Sequence, residues 1–105
     1  MTNYTRGRQF EYKIRDELRR RGYFVIRTAG SHTCCDLVAM KASYRLFVQC
    51  RGGKRFSTDE WNDLYVQARA CSAIPILATR PLLFERLTGL RRNGQRKPPK
   101  IPIEP

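Results

Sequence analysis

The sequence has few acidic residues. Of its 105 residues, nine are Asp or Glu and 21 are Lys or Arg, which gives a formal net charge of +12. A small domain with such an excess of positive charge commonly binds a polyanion, most often nucleic acid. Asp36 is the only acid between Glu17 and Asp59, so charge balance alone gives little reason for a carboxylate there.

The sequence also lacks a long apolar run. No segment approaches the roughly 20 consecutive apolar residues of a membrane-spanning helix, and residues 1–8 contain no apolar core of a signal peptide. We therefore expect a cytoplasmic protein with no membrane partner. The length suits one compact domain and is too short for two.

The cysteines lack the spacing of a disulfide framework or a zinc ribbon. Cys34, Cys35, Cys50 and Cys71 contain no Cys-x-x-Cys pair. We expect reduced thiols, because buried cysteines commonly act as small hydrophobic residues. His32 with Cys34 and Cys50 is an alternative metal set, but its spacing disfavours zinc.

Hydrophobic periodicity predicts an α/β fold with a mixed central sheet flanked by helices. The predicted elements, in order, are a helix over 6–21, strands over 23–28, 35–40 and 45–51, a helix from 58 to about 72, and strands over 73–79 and 82–87. This order indicates a three-stranded meander followed by a helical crossover. We expect one domain over residues 1–89 and a basic, Pro-rich tail over 90–105 that is extended or disordered.

The second helix has a clear start signal. Ser57 and Glu60 have the spacing of a capping box. An apolar stripe follows, made of Trp61, Leu64, Tyr65, Ala68 and Cys71. Core packing is the more economical role for Trp61 than stacking on a nucleic-acid base.

Polar side chains interrupt the two apolar strands of the predicted hairpin. If the turn is centred between Ala42 and Ser43, Asp36 faces Gln49 on the next strand. Strand alternation places Gln49 and Arg51 on one face. An acid, an amide and a guanidinium are therefore expected to converge.

Glu11 on the first helix can complete this group. It lies on the apolar face, three residues before Ile14 and seven before Leu18, where an unpaired charge is costly. Two readings remain open, since Glu11 can instead lie at the edge of the stripe and pair with Arg15. Carboxylate and amide oxygens suit Mg²⁺, for which Mn²⁺ can substitute.

A family resemblance extends this interpretation. Four segments, which together span about residues 6–80, resemble the PD-(D/E)xK nuclease superfamily. They are RGRQFEYKIRDELRRRGYFVIRTAGSH, CDLVAM, LFVQCRGGKR and FSTDEWNDLYVQARACSAIPILA. Within it the chain is similar to the archaeal-type Holliday junction resolvases and their bacteriophage relatives. The resemblance implies a restriction-endonuclease-like fold, metal-dependent cutting of branched DNA such as four-way junctions, and a homodimer.

The resemblance also implies roles for individual residues. Glu11, Asp36 and Gln49 take the metal-ligand positions, Arg51 takes the position of a catalytic Lys, and Ser31 that of a loop serine near the scissile phosphate. Together with the basic surface and the loop leading to Asp36, it predicts a DNA-contacting set of Arg6, Arg8, Arg27, Ser31, His32, Lys54 and Arg55.

Two residues depart from the family pattern. Gln49 replaces an acid and loses a charge, and Arg51 replaces Lys with a planar group that is effectively never deprotonated. Arg51 can orient water or stabilise charge but cannot act as a general base. The alternatives are a nuclease fold that binds junctions without cutting them, and a related nuclease with another DNA target. A purely structural basic protein leaves Asp36 and Glu11 without a role.

Overall fold

The fold is a mixed sheet with a helix on each face. The computed structural model describes residues 3–28, 33–52 and 56–105. The elements are α1 (Asn3–Arg20), β1 (Phe24–Arg27), β2 (Leu37–Lys41), β3 (Tyr44–Arg51), α2 (Thr58–Ala70), β4 (Ile74–Thr79), β5 (Leu83–Leu87) and β6 (Lys100–Pro102). They form a six-stranded sheet in the order β1-β2-β3-β4-β5-β6. The predicted meander and crossover are confirmed, because only β3 and β4 pair in parallel.

Helix α1 packs through its predicted apolar stripe. Phe10, Ile14 and Leu18 are at most 2% exposed and join the core on one side of the sheet, which we call the α1 face. Full burial of each such side chain contributes about 1.5–3 kcal/mol. The helix begins three residues earlier than predicted and ends before Gly22, whose φ of +95° is readily adopted by glycine after a helix.

Helix α2 packs on the opposite side, the α2 face. Its capping box is present as predicted, since Ser57 Oγ accepts from the Glu60 N–H at 3.1 Å and the Glu60 carboxylate accepts from the Ser57 N–H. Trp61 is 3% exposed and its Nε1–H donates to the Gly89 carbonyl at 2.8 Å. Its predicted core role is confirmed, whereas Cys71 at the end of the stripe is exposed.

The β2–β3 hairpin has the predicted register. Its pairs run from Leu37↔Val48 to Lys41↔Tyr44, the alignment expected for a turn at residues 42 and 43. Ala42 in that turn has a φ of 51°. Val48 and Cys50 belong to the core of the α1 face, so alternation directs Gln49 and Arg51 to the α2 face.

The last residues of the chain contribute to the sheet. Of the two states predicted for the tail, extended or disordered, the extended one is observed at Lys100–Pro102, which form β6 against β5. Ile103 packs against the core, and Glu104 pairs with Arg21 at 3.1 Å. The terminal segment therefore pairs with the outer edge of β5. Local composition does not reveal such a long-range pairing. None of the helices in the described ranges has the length and apolar character needed to cross a bilayer.

Candidate active site

Asp36 is fixed to the backbone of β3 where the β2–β3 ladder ends. Its N–H donates to the Val48 carbonyl at 2.9 Å, and its Oδ2 accepts from the Cys50 N–H at 2.8 Å. These two bonds span Gln49, so the predicted closeness of Asp36 and Gln49 is observed. Burial raises the pKa of Asp36, and the Cys50 hydrogen bond and the positive charge of Arg51 act in the opposite direction. The carboxylate is thus held rigidly in a partly desolvated position.

Glu11 approaches Asp36 from α1. Its Oε1 accepts from Arg27 Nε at 3.2 Å. Burial, followed by the negative charge of Asp36, raises the pKa of Glu11, and Arg27 partly offsets both. The two carboxylates are therefore close enough to repel each other. The alternative partner for Glu11 is wrong, because Arg15 pairs instead with Asp16 at 2.9 Å.

Gln49 lies opposite Asp36 on β3, between the two residues to which Asp36 is hydrogen-bonded. It is a polar residue within the core, at 8% exposure, and no hydrogen bond joins its carboxamide to another residue of the described ranges. Its side chain belongs to the α2 face, whereas Glu11 comes from the α1 face. Asp36 has charge interactions with Glu11 from the α1 face and with Arg51 from the α2 face. Gln49 thus offers an amide oxygen that no described residue uses.

Arg51 is held against the start of α2. Its Nη2 forms an ion pair with Glu60 Oε2, and its guanidinium carbon lies 5.4 Å from the centre of the Phe56 ring. Its Nε is buried and has no hydrogen-bond partner in the part of the chain that the structure describes. The guanidinium also stabilises the ionised form of Asp36. Arg51 therefore faces the acid from the α2 face, as the strand alternation predicts.

The remaining predicted residues are distributed around this centre. Arg8 is near enough to Glu11 to lower its pKa. Arg27 pairs with Glu11 and stacks over Tyr12, with its guanidinium carbon 5.4 Å from the ring centre. Four predicted residues lie outside the described residues, namely Ser31, His32, Lys54 and Arg55.

A basic pocket beside Gly52 includes residues that the sequence analysis missed. The pocket has a volume of about 580 Å³ and is lined in part by Arg6, Lys13 and Arg80. Arg80 Nε donates to the Gly52 carbonyl at 2.8 Å, and its guanidinium carbon lies 4.7 Å over the Phe10 ring. A signal for Arg80 exists in the sequence, because parallel strands end at the same edge of a sheet and Arg80 directly follows β4.

The donor set fits a hard divalent cation. Burial raises the pKa of both Glu11 and Asp36 and so disfavours their ionised forms, and a cation between the two carboxylates would offset that cost. Gln49 can add a neutral oxygen. Within the described ranges there is no group of three or more His, Cys, Asp and Glu that could hold a metal.

Comparisons with known proteins identify the family. The family described as archaeal Holliday junction resolvase (Hjc) matches residues 2–82. The solved structure of Hjc, a Holliday junction resolvase from the archaeal hyperthermophile Archaeoglobus fulgidus, aligns with a TM-score of 0.66 and 28% identity, over 77% of this chain and 70% of that one. The curated proteins give no match. The chain belongs to the archaeal Holliday junction resolvase family.

Proposed function

We propose that this junction-resolving nuclease hydrolyses phosphodiester bonds of four-way and other branched DNA with Mg²⁺ held by Glu11, Asp36 and Gln49. The observation that carries the proposal is the position of the Asp36 carboxylate, whose Oδ2 accepts from the Cys50 N–H at 2.8 Å. The charge of Asp36 raises the pKa of Glu11, and the charge of Arg51 lowers the pKa of Asp36. When bound, the cation supplies Lewis-acid stabilisation of charge on the scissile phosphate. Mn²⁺ has the same ligand preference and can replace it.

Arg51 supplies fixed positive charge in this proposal. A guanidinium remains protonated at any pH at which the protein is folded, so Arg51 does not take a proton from the attacking water. Its place beside Asp36 suits it to orient a phosphate oxygen and to stabilise the charge that develops there. Ser31, five residues before Asp36 in the sequence, is proposed to contact the same phosphate.

The basic surface around the site is proposed to hold the DNA backbone. Arg6, Lys13 and Arg80 line one pocket beside Gly52, directly after Arg51 in the chain. Further contacts are proposed for Arg8, Arg27, His32, Lys54 and Arg55. A net charge of +12 favours rapid association with DNA and makes binding strongly dependent on salt concentration.

A homodimer is proposed through an uncovered apolar strip on the α2 face. Phe24 and Ile26 of β1 are 64% and 46% exposed. They pair with Met40 and Val38 of β2, and these neighbours share one face of the sheet. Val66 on α2 is also exposed, at 50%. Two copies joined here would present two sites for paired incisions. Sedimentation of a Phe24→Ser, Ile26→Ser variant as a monomer while wild type is a dimer would support this surface.

The segments outside the core site remain proposals as well. We propose that residues 1–89 carry the nuclease activity and that residues 90–105 are an appended segment. The family match to residues 2–82 supports this division. The assignment to the bacteriophage-type members, which depends on Gln49 at an acid position, remains a prediction.

The direct test is cleavage of a labelled four-way junction in the presence of Mg²⁺. Asp36→Asn is expected to abolish cutting, and Asp59→Asn is the matched control because it removes the same charge from an exposed position. Linear duplex DNA of the same sequence tests selectivity for branches. Undiminished cutting by Asp36→Asn would refute the site, and equal cutting of linear duplex would refute the selectivity.

Binding without cleavage is the second candidate, and the state of Arg51 favours it. The guanidinium stands at the position of the catalytic Lys and cannot take a proton from water. This candidate predicts tight, salt-sensitive junction binding and no cleavage. It also predicts that Gln49→Glu combined with Arg51→Lys, which recreates the family pattern, gives no cutting activity.

A further inference from the structure

Glu60 connects the start of α2 to the end of β3. Its Oε1 accepts from the Ser57 N–H at 3.5 Å and closes the capping box. Its Oε2 forms the ion pair with Arg51 Nη2. One side chain thus has two separable contacts, one local to the helix and one to the catalytic strand.

The ion pair fixes a side chain that is otherwise difficult to orient. Arg has several rotatable bonds, and its planar group must be turned correctly to bind an oxygen. In this structure three features restrict it: the Glu60 carboxylate, the Phe56 ring at 5.4 Å and low exposure of the side chain, at 19%. The Phe56 ring restricts how far the guanidinium lies from it but hardly restricts its rotation. The ion pair at Nη2 fixes the direction in which the guanidinium points.

We infer that Glu60 is a positioning residue of the active site, which holds the Arg51 guanidinium beside Asp36 in the orientation needed to bind the scissile phosphate. The inference rests on the proposed function and adds a residue to it. It also explains why Arg51 needs a partner, because a planar guanidinium requires more orientation than a compact ammonium group does.

A purely structural role of Glu60 makes a different prediction. Capping requires only an oxygen at this position, and Gln serves in a capping box as Glu does. Positioning of Arg51 requires the negative charge. Glu60→Gln therefore removes the ion pair and keeps the cap. Ser57→Ala is the reverse control, because it removes the hydroxyl that accepts from the Glu60 N–H and leaves the Glu60 carboxylate in place.

The experiment compares these variants in single-turnover cleavage of a four-way junction, with junction affinity and thermal stability measured alongside. Glu60→Gln is expected to slow cleavage about 10-fold or more, since a small misplacement of a catalytic group is costly, with junction affinity within about 2-fold. Ser57→Ala is expected to lower the melting temperature and to leave the cleavage rate within about 2-fold.

The same substitution in an Arg51→Lys background tests whether Glu60 acts through Arg51. There Glu60→Gln is expected to change the rate less than about 3-fold, because coupled residues give non-additive effects. An unchanged cleavage rate for Glu60→Gln would overturn the inference. So would equal slowing in both backgrounds, or slowing by Ser57→Ala as large as that by Glu60→Gln.

The Arg51 Nε–H signal in a ¹⁵N NMR spectrum gives a readout that does not require activity. The signal is assigned by its loss in Arg51→Lys. We expect slow hydrogen exchange in wild type and about 10-fold faster exchange in Glu60→Gln, with no change in Ser57→Ala. A wild-type protein that cuts no junction refutes the proposed function. Unaltered exchange in Glu60→Gln refutes the positioning by Glu60, whether or not the protein cuts.

Discussion

Replacing Asp36 by Asn is expected to stabilise the fold while it removes activity. Burial raises the pKa of Asp36 above its ordinary value of 3.8, so the folded state holds the proton more tightly than the unfolded state does. Stability therefore falls as the pH rises from about 4 through the raised pKa. At a pH above that raised pKa the ionised carboxylate destabilises the protein, and the uncharged amide removes that effect.

The size of the gain follows from the contacts of Asp36. Asn retains an oxygen that can accept from the Cys50 N–H at 2.8 Å, so the hydrogen bond is conserved. The charge repulsion with Glu11 disappears, and the attraction of Arg51 and Arg27 is lost. We expect the substitution to raise the free energy of unfolding by about 0.5–2 kcal/mol, the usual gain from a single stabilising substitution. This corresponds to a rise in melting temperature of about 2–8 °C for a domain of this size.

A divalent cation should make wild type more stable than Asp36→Asn, which reverses their order of stability without metal. At a Mg²⁺ concentration about 100 times the dissociation constant, a cation that binds only the folded wild type adds about 2.7 kcal/mol, more than the gain expected for Asp36→Asn. Asp36→Asn loses a charged ligand and should gain far less. Thermal unfolding is therefore measured with EDTA and across a Mg²⁺ series, at fixed ionic strength and pH.

The control for this prediction is Asp59→Asn, which removes an exposed charge and should gain as much stability from Mg²⁺ as wild type does. Its stability in EDTA should be lower by about 0.3–1 kcal/mol, because Asp59 lies in the first turn of α2. A melting temperature of Asp36→Asn below that of wild type in EDTA would contradict the view that burial destabilises the ionised acid. An equal Mg²⁺ effect on both proteins would contradict the assignment of Asp36 as a ligand.

Three further predictions concern stability and the terminal segment. The hydrogen bonds from two arginines lower the pKa of Glu17 to about 2, so its contribution to stability should be present above about pH 4.5 and be lost as the pH falls towards 2; NMR titration of its carboxyl carbon checks this. Leu64→Ala should lower the free energy of unfolding by about 2–5 kcal/mol, because Leu64 is fully buried. Urea unfolding followed by Trp61 fluorescence measures this, and a loss below about 1 kcal/mol would contradict the packing. Removing residues 98–105 should lower the melting temperature but leave junction cleavage within about 2-fold, and loss of cutting in the folded variant would show that the segment belongs to the nuclease.

Local patterns explain what the sequence could predict. The register of the β2–β3 hairpin follows from the short turn after Lys41, and strand alternation then assigns Gln49 and Arg51 to one face. The capping box at Ser57 likewise depends only on residues three positions apart. In each case the spacing along the chain determines which groups meet, so the pattern is sufficient.

Contacts between distant elements could not be predicted in the same way. Helical spacing made Arg15 the candidate partner of Glu11, but Arg27 on β1 is the observed partner. The Arg51–Glu60 pair joins a strand end to a helix start and depends on how α2 returns over the sheet. Strand β6 depends on an available edge at β5, which a composition rule for tails does not consider.

The most direct test of the metal site is the anomalous diffraction of crystals soaked in Mn²⁺. The account predicts a peak within coordination distance of carboxylate oxygens from both Glu11 and Asp36, and its loss in Asp36→Asn crystals. The Gln49 amide oxygen is expected to complete the protein ligands. A Mn²⁺ ion bound elsewhere, or no ion at these acids at a concentration that supports cleavage, would contradict it.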